Sequence, residues 1–324
     1  MQTLLKLVVA AACVLAAGAA PAQGARNFPD KPVRVIVGYS PGGLPDTIVR
    51  LIGQKLGERW GQQFVVENRP GANGIVAAEM VAKAAPDGYT LLMTDNSTTA
   101  INPFLYAKLP YDADKDLVPV SFAARAPLFL AVHPSVTANT FQELIAQIKA
   151  NPGKFAYGSS GIGSTHHLCM EYLKSALGLD ITHIPYKGTG QSVPALVAGQ
   201  VPMVLSGYPS LAAYEKDGRV KLLANNSLKR SALAPNVPTI AETVPGFDFA
   251  PTFGLFAPGG TPKDIVAKIS ADVAEVVKMP DIITRMTNLG IEPVGASPDE
   301  YARSLKADAE RYAKAVKMSG AKVE

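Results

Sequence analysis

Val33-Arg34-Val35-Ile36-Val37-Gly38-Tyr39-Ser40-Pro41-Gly42-Gly43 passes from a β-branched, mostly apolar run into a loop of serine, proline and glycine. Ile48, Val49, Leu51, Ile52 and Leu56 then recur at helical spacing across residues 46–60. A strand, a glycine-rich turn and a helix in succession open an α/β unit. The succession returns in mid-chain, where Phe155-Ala156-Tyr157-Gly158 leads into Ser159-Ser160-Gly161-Ile162-Gly163-Ser164 and a helix over 164–177. Such loops leave backbone N–H groups unpaired at a helix start, where they and the helix dipole attract an anion. One loop alone is weak evidence. A pair in two halves of one chain points to an anionic ligand gripped from both sides.

Strand-like and helix-like patches alternate outward from these loops, which argues for the α/β class. Strands are expected at 64–67, 90–94, 129–132, 155–157, 181–184 and 202–205. Helices are expected at 75–84, 141–150, 193–198, 263–278 and 298–318, the last with Tyr301, Leu305, Tyr312, Ala315 and Val316 as its inner face. A chain of 324 residues, 48% hydrophobic, fits two domains more naturally than one. No low-complexity linker separates them, so ordered strands must cross the boundary, near residues 120–126 and 236–251. One domain is then discontinuous, 23–125 with 248–324, and the other is 126–247.

Lys6 precedes an uncharged apolar stretch ending at Ala20-Pro21-Ala22, a small-x-small pattern. This reads as a secretory signal peptide over residues 1–22, cut after Ala22. The stretch is shorter than the ~20 apolar residues a spanning helix needs. Cys13 lies within it without a lipobox leucine three residues before, so no lipid anchor is expected. Cleavage leaves Cys169 as the only cysteine and excludes an intramolecular disulfide; a buried position is its ordinary fate. The formal charge is +4 with lysines and arginines scattered, which gives nucleic-acid binding little support.

Gly38-Tyr39-Ser40-Pro41-Gly42 matches the G-x-S-x-G elbow of serine hydrolases in the right strand–turn–helix context. The elbow uses the backbone N–H of the residue after the serine, and Pro41 has none. Losing one oxyanion donor typically costs about 10²–10³ in rate. His166 and His167 are adjacent, so they project about 100° apart on a helix rather than sharing a face as metal ligands. Neither loop carries a phosphate-binding glycine pattern.

Several stretches in order resemble the Bug family of periplasmic receptors for tripartite tricarboxylate transporters. They include Phe28-Pro29-Asp30-Lys31-Pro32-Val33, Pro41-Gly42-Gly43 with Asp46, and Val65-Val66-Glu67-Asn68-Arg69-Pro70-Gly71-Ala72. Ala85-Pro86-Asp87-Gly88-Tyr89-Thr90, Tyr157-Gly158-Ser159-Ser160-Gly161, Pro185-Tyr186-Lys187-Gly188 and Ala257-Pro258-Gly259-Gly260-Thr261-Pro262 follow. The resemblance covers nearly all of the chain beyond the leader. It implies a two-lobed periplasmic binding protein of the type II kind, with hinge strands joining two α/β domains. It implies no enzyme activity and no cofactor, a periplasmic location, a small carboxylate as ligand, and integral-membrane transporter subunits as partners. A receptor reporting carboxylate to a membrane sensor kinase is the alternative, and a serine hydrolase using Ser40 a distant one.

Carried over onto this sequence, the ligand loops are 40–46 and 159–166. Tyr39, Ser40, Pro41, Gly42 and Gly43 form the first candidate set, with Asp46 either a ligand contact or a helix cap. Ser159, Ser160, Gly161, Gly163 and Ser164 form the second, with His166 in the first helical turn as a donor or a packed imidazole. Asn96, Ser97 and Ser206 follow strands, where α/β ligands sit, and Lys187 is either a carboxylate partner or a solvated lysine. Two positions depart from the family pattern. Ala198 replaces an acidic residue, and Thr252 replaces a tryptophan before Phe253-Gly254, which would enlarge a nearby wall and admit an aromatic or longer ligand.

Overall fold

The computed structural model describes residues 27–322. The leader, its cleavage point and Cys13 lie outside the described residues. Two sheets organise the chain. In the first, β1 (Val33–Val37) lies between β2 (Phe64–Asn68) and β3 (Thr90–Asp95), parallel to both. Beyond β3 come β10 (Thr252–Pro258), β4 (Leu117–Arg125) and β11 (Glu292–Ala296), each antiparallel to its neighbour. In the second, β6 (Phe155–Ser159) lies between β7 (Ile181–Pro185) and β8 (Met203–Gly207), again parallel to both. The strands β5 (Leu128–Val132) and β9 (Lys221–Asn225) extend that sheet antiparallel.

Both sheets are covered on both faces, as strands without alternation require. Helix α1 (Leu44–Trp60) buries Ile48, Val49, Ile52 and Leu56 against β1 and β3. Each such side chain contributes ~1.5–3 kcal/mol on leaving water. The short helix α2 (Ile75–Ala82) covers the opposite face with Ala77, Ala78 and Val81. In the second lobe, α4 (Phe141–Ala150) and α5 (Thr165–Leu177) cover one face, and α6 (Thr189–Val197) and α7 (Tyr208–Lys216) the other. A one-turn helix α3 (Asn102–Leu105) follows β3, while α8 (Lys263–Val277) and α9 (Pro280–Asn288) back the first sheet.

The chain passes between sheets twice, from β4 to β5 and from β9 to β10. There the Ala126 N–H donates to the Pro251 carbonyl at 3.1 Å. Arg125 Nη2 donates to both Asp248 oxygens at 2.6 and 2.7 Å. The last helix, α10 (Pro298–Ser319), begins with a Ser297/Glu300 capping box. Its Tyr301 belongs to the core of the first lobe, and its Tyr312, Ala315 and Val316 to that of the second, so it straps the two together. Leu305 is half-buried on that face. Asp308 is buried there too, where its carboxylate meets Arg311, the Asn96 amide at 3.2 Å and the Thr252 hydroxyl at 3.4 Å. Burial outweighs these partners and pushes the Asp308 carboxyl up to about 6. Cys169 is buried in the second core.

Candidate functional site: the cleft between the lobes

The order β2-β1-β3 in one sheet and β7-β6-β8 in the other puts β1 and β6 at equivalent places, each the middle of a parallel trio. In open α/β sheets a crevice forms at the carboxyl end of such a strand. The two glycine and serine loops follow β1 and β6, and they face one another across a cavity of about 480 Å³.

The first lobe lines this cavity with Tyr39, Gly42, Gly43, Leu44, Pro45 and Thr47, with Asn73, and with Asp95 and Ser97 beyond β3. The second lobe contributes Ser160, Ser164, Thr165 and His166 at the start of α5, Thr189 at the start of α6, and Ser206, Gly207 and Ser210 around the start of α7. Ala126, Leu128, Pro251 and Phe253 supply apolar wall from the hinge. Four helices, α1, α5, α6 and α7, therefore begin at one cavity. The N–H groups of a first turn have no intrahelical acceptor, and each helix carries roughly half a positive charge at that end. Neither lysine nor arginine is among the lining residues; Asp95 is the charged side chain there.

Both loops are braced from behind. Asp46 is buried and accepts from the Gly42 N–H at 2.9 Å, the Asn68 amide at 2.9 Å and Arg50 Nε at 3.0 Å. Burial would raise its carboxyl, but Arg50, Gly42 and Asn68 prevail and hold it below the usual range. In the second loop, Ser159 Oγ accepts from the Gly161 N–H at 3.1 Å and lies 2.7 Å from His183 Nε2. His183 stacks on His167 with ring centroids 4.0 Å apart, and His167 Nδ1 accepts from the Gly163 N–H at 3.1 Å. Burial holds the His183 imidazole down to about 4 and lowers that of His167. Ser164 caps α5, its hydroxyl oxygen accepting from the His167 N–H at 3.2 Å.

The lobes meet at two glycines. A Cβ on Gly163, at φ +75°, would stand 2.5 Å from the Leu105 side chain; one on Gly290, at φ +72°, would stand 2.7 Å from Pro209. Only glycine permits both the left-handed backbone and this approach.

Of the residues singled out in the sequence, Tyr39, Gly42, Gly43, Ser97, Ser160, Ser164, His166 and Ser206 lie on the cavity wall. His166 shares a 2.8 Å hydrogen bond with Ser160 Oγ, and burial holds its imidazole down to about 4, hence neutral near pH 7. Asp46, Asn96 and Ser159 lie behind the wall, fully engaged or buried. Ser40 and Pro41 are exposed, Gly161 and Gly163 shape the second loop without lining the cavity, and the Lys187 side chain is exposed outside it. Among the described residues no histidine bonds Ser40; the imidazole–serine pairs involve Ser135, Ser159 and Ser160. Thr252 is buried toward Asp308 and is not among the residues of the wall.

Asp95 escapes a reading based on loop composition because it ends a strand. Its signal is an acidic residue that closes the strand run Leu91-Leu92-Met93-Thr94. Its Oδ1 accepts from the Tyr39 hydroxyl at 2.7 Å and the Ser97 N–H at 2.9 Å, and burial raises its carboxyl above the usual range.

Two α/β lobes joined by crossing strands, with a cleft at their facing strand ends, define a bilobed solute receptor. Residues 48–320 match the family described as tripartite tricarboxylate transporter family receptor, and the chain belongs to it. It is 34% identical to the BugT protein of Bordetella pertussis over 320 residues, 98% of each chain. The Rhodopseudomonas palustris protein Rpa4515, solved with adipate, is 34% identical with a TM-score of 0.78, covering 91% of this chain and 100% of that one. MatC of the same species, solved with malate, is 33% identical with a TM-score of 0.73, covering 89% and 100%. The protein is thus a periplasmic transport receptor that works with membrane components, and not an enzyme.

Proposed function

We propose that the cleft captures a small carboxylate, a di- or tricarboxylate or an aromatic carboxylate, and hands it to the membrane subunits of a tripartite tricarboxylate transporter. The observation that carries this reading is the meeting of four helix starts at a cavity without a lining lysine or arginine. Oriented N–H groups and hydroxyls suit carboxylate oxygens, and closure strengthens those bonds by excluding water. The adipate and malate carried by the two relatives belong to the same ligand class. In this reading residues 23–125 with 248–324 form one jaw and 126–247 the other, and the leader ending at Ala22 directs export.

A thermal-shift screen of the chain from Gln23 onward, stripped of carried-over ligand by unfolding and refolding, tests it. A ligand that binds only the native state adds about 2.7 kcal/mol at a hundredfold excess over Kd. Aliphatic or aromatic carboxylates should raise Tm while their neutral amides do not. Shifts confined to neutral or cationic solutes would overturn the reading.

A further inference from the structure

Asp95 stands out in a cleft otherwise suited to anions. It is half-buried, it lines the cavity, and no lysine or arginine stands among its partners. A carboxylate there repels a second carboxylate unless a proton donor lies between them. Its two oxygens offer about four acceptor positions. The Tyr39 hydroxyl and the Ser97 N–H share one oxygen and the Ser97 side chain also bonds the carboxyl, so the group is held firmly with part of its capacity left. The register of β1 with β3 pairs Val37 with Met93 and brings Asp95 beside the start of the first loop. A carboxylate gripped by that loop therefore presents its neighbouring atoms to Asp95.

We propose that Asp95 determines specificity by selecting carboxylates that carry a hydroxyl or ammonium donor next to the gripped carboxylate. This rests on the carboxylate reading above. If Asp95 served only to fix Tyr39 and Ser97, ligands with and without the donor would bind alike.

Calorimetric titration with matched sets decides the matter: succinate, malate and aspartate; glutarate, 2-hydroxyglutarate and glutamate; benzoate, 2-hydroxybenzoate and 2-aminobenzoate. Within a set that binds, a donor-bearing member should bind about tenfold or more tighter than the plain acid, the worth of one hydrogen bond to a charged group. The better of the hydroxy and amino members identifies the donor. Asp95→Asn, whose amide can donate, should bring the ratio close to one by improving the plain acid and weakening the other. Equal affinities within the sets for the wild type, or a ratio unchanged by Asp95→Asn, would overturn this inference and leave the carboxylate reading standing. If no set binds while another carboxylate raises Tm in the thermal screen, the inference falls and the carboxylate reading stands; if no carboxylate does either, both fall.

Discussion

Asp46 looks from the sequence like either a helix cap or a ligand contact, and the structure gives it another task. Its carboxylate ties the Gly42 N–H, Arg50 and Asn68 together and so sets the shape of the first ligand loop. Asp46→Ala leaves these donors without their acceptor. We expect a loss of ~1–3 kcal/mol in stability by denaturant titration and a roughly tenfold weaker ligand by calorimetry. Unchanged affinity would mean that the loop keeps its shape without the tie. The histidines in and behind the second loop make a prediction about pH. His183 and His166 are held down to about 4, below their unfolded value, so the folded protein binds fewer protons than the unfolded chain between about pH 4 and 6.5. Their stabilising contribution is complete above about 6.5 and is lost as pH falls to 4. Asp308, pushed up to about 6, acts in the opposite sense and favours the folded state as acid neutralises it. His183→Gln, uncharged but still hydrogen-bonding, should lose less Tm than the wild type between pH 7 and 4.5. Parallel profiles would show that His183 does not contribute.

At the scale of elements, the parallel trios were legible because their strands are β-branched runs ending in glycine-rich turns. Val33–Val37 and Phe155–Ser159 coincide closely with the expected strands. Helix α1 starts at Leu44 instead of 46 because Pro45 suits a first turn, where its missing N–H costs nothing. Other elements have little local signal. Strand β11 contains both Pro293 and Gly295, residues that weaken strands, and it forms as the edge beside β4. Helix α7 opens with Tyr208-Pro209, and α9 buries only Ile282 and Met286. Strand β4 runs through the first expected crossing, 120–126, but the second, 236–251, holds no strand and leads into β10, whose long antiparallel pairing with β4 has no local signal. Nor does a helical inner face of tyrosines and alanines announce Asp308, because a carboxylate there needs Arg311, Asn96 and Thr252 from three places in the chain.

For the whole molecule, the two loops read from the sequence border one cavity, but most of its wall comes from elsewhere in the chain. Residues within the two loops were legible because glycine, serine and a following helix occur together in the chain. Asp95, Thr189, Ser210 and Phe253 come from other segments, and only the arrangement of two sheets about a hinge brings them to the same cavity. The pairing of Gly163 with Leu105 and of Gly290 with Pro209 likewise exists only once the lobes face each other. In the proposed function an anion is held between the lobes by helix starts and hydroxyls and not by a basic side chain. A crystal structure with the tightest carboxylate from the screen tests this directly. It should show carboxylate oxygens within hydrogen-bonding distance of backbone N–H groups in both the loop at 40–46 and the loop at 159–166. A carboxylate paired with a lysine or arginine, or bound outside the cleft, would contradict it.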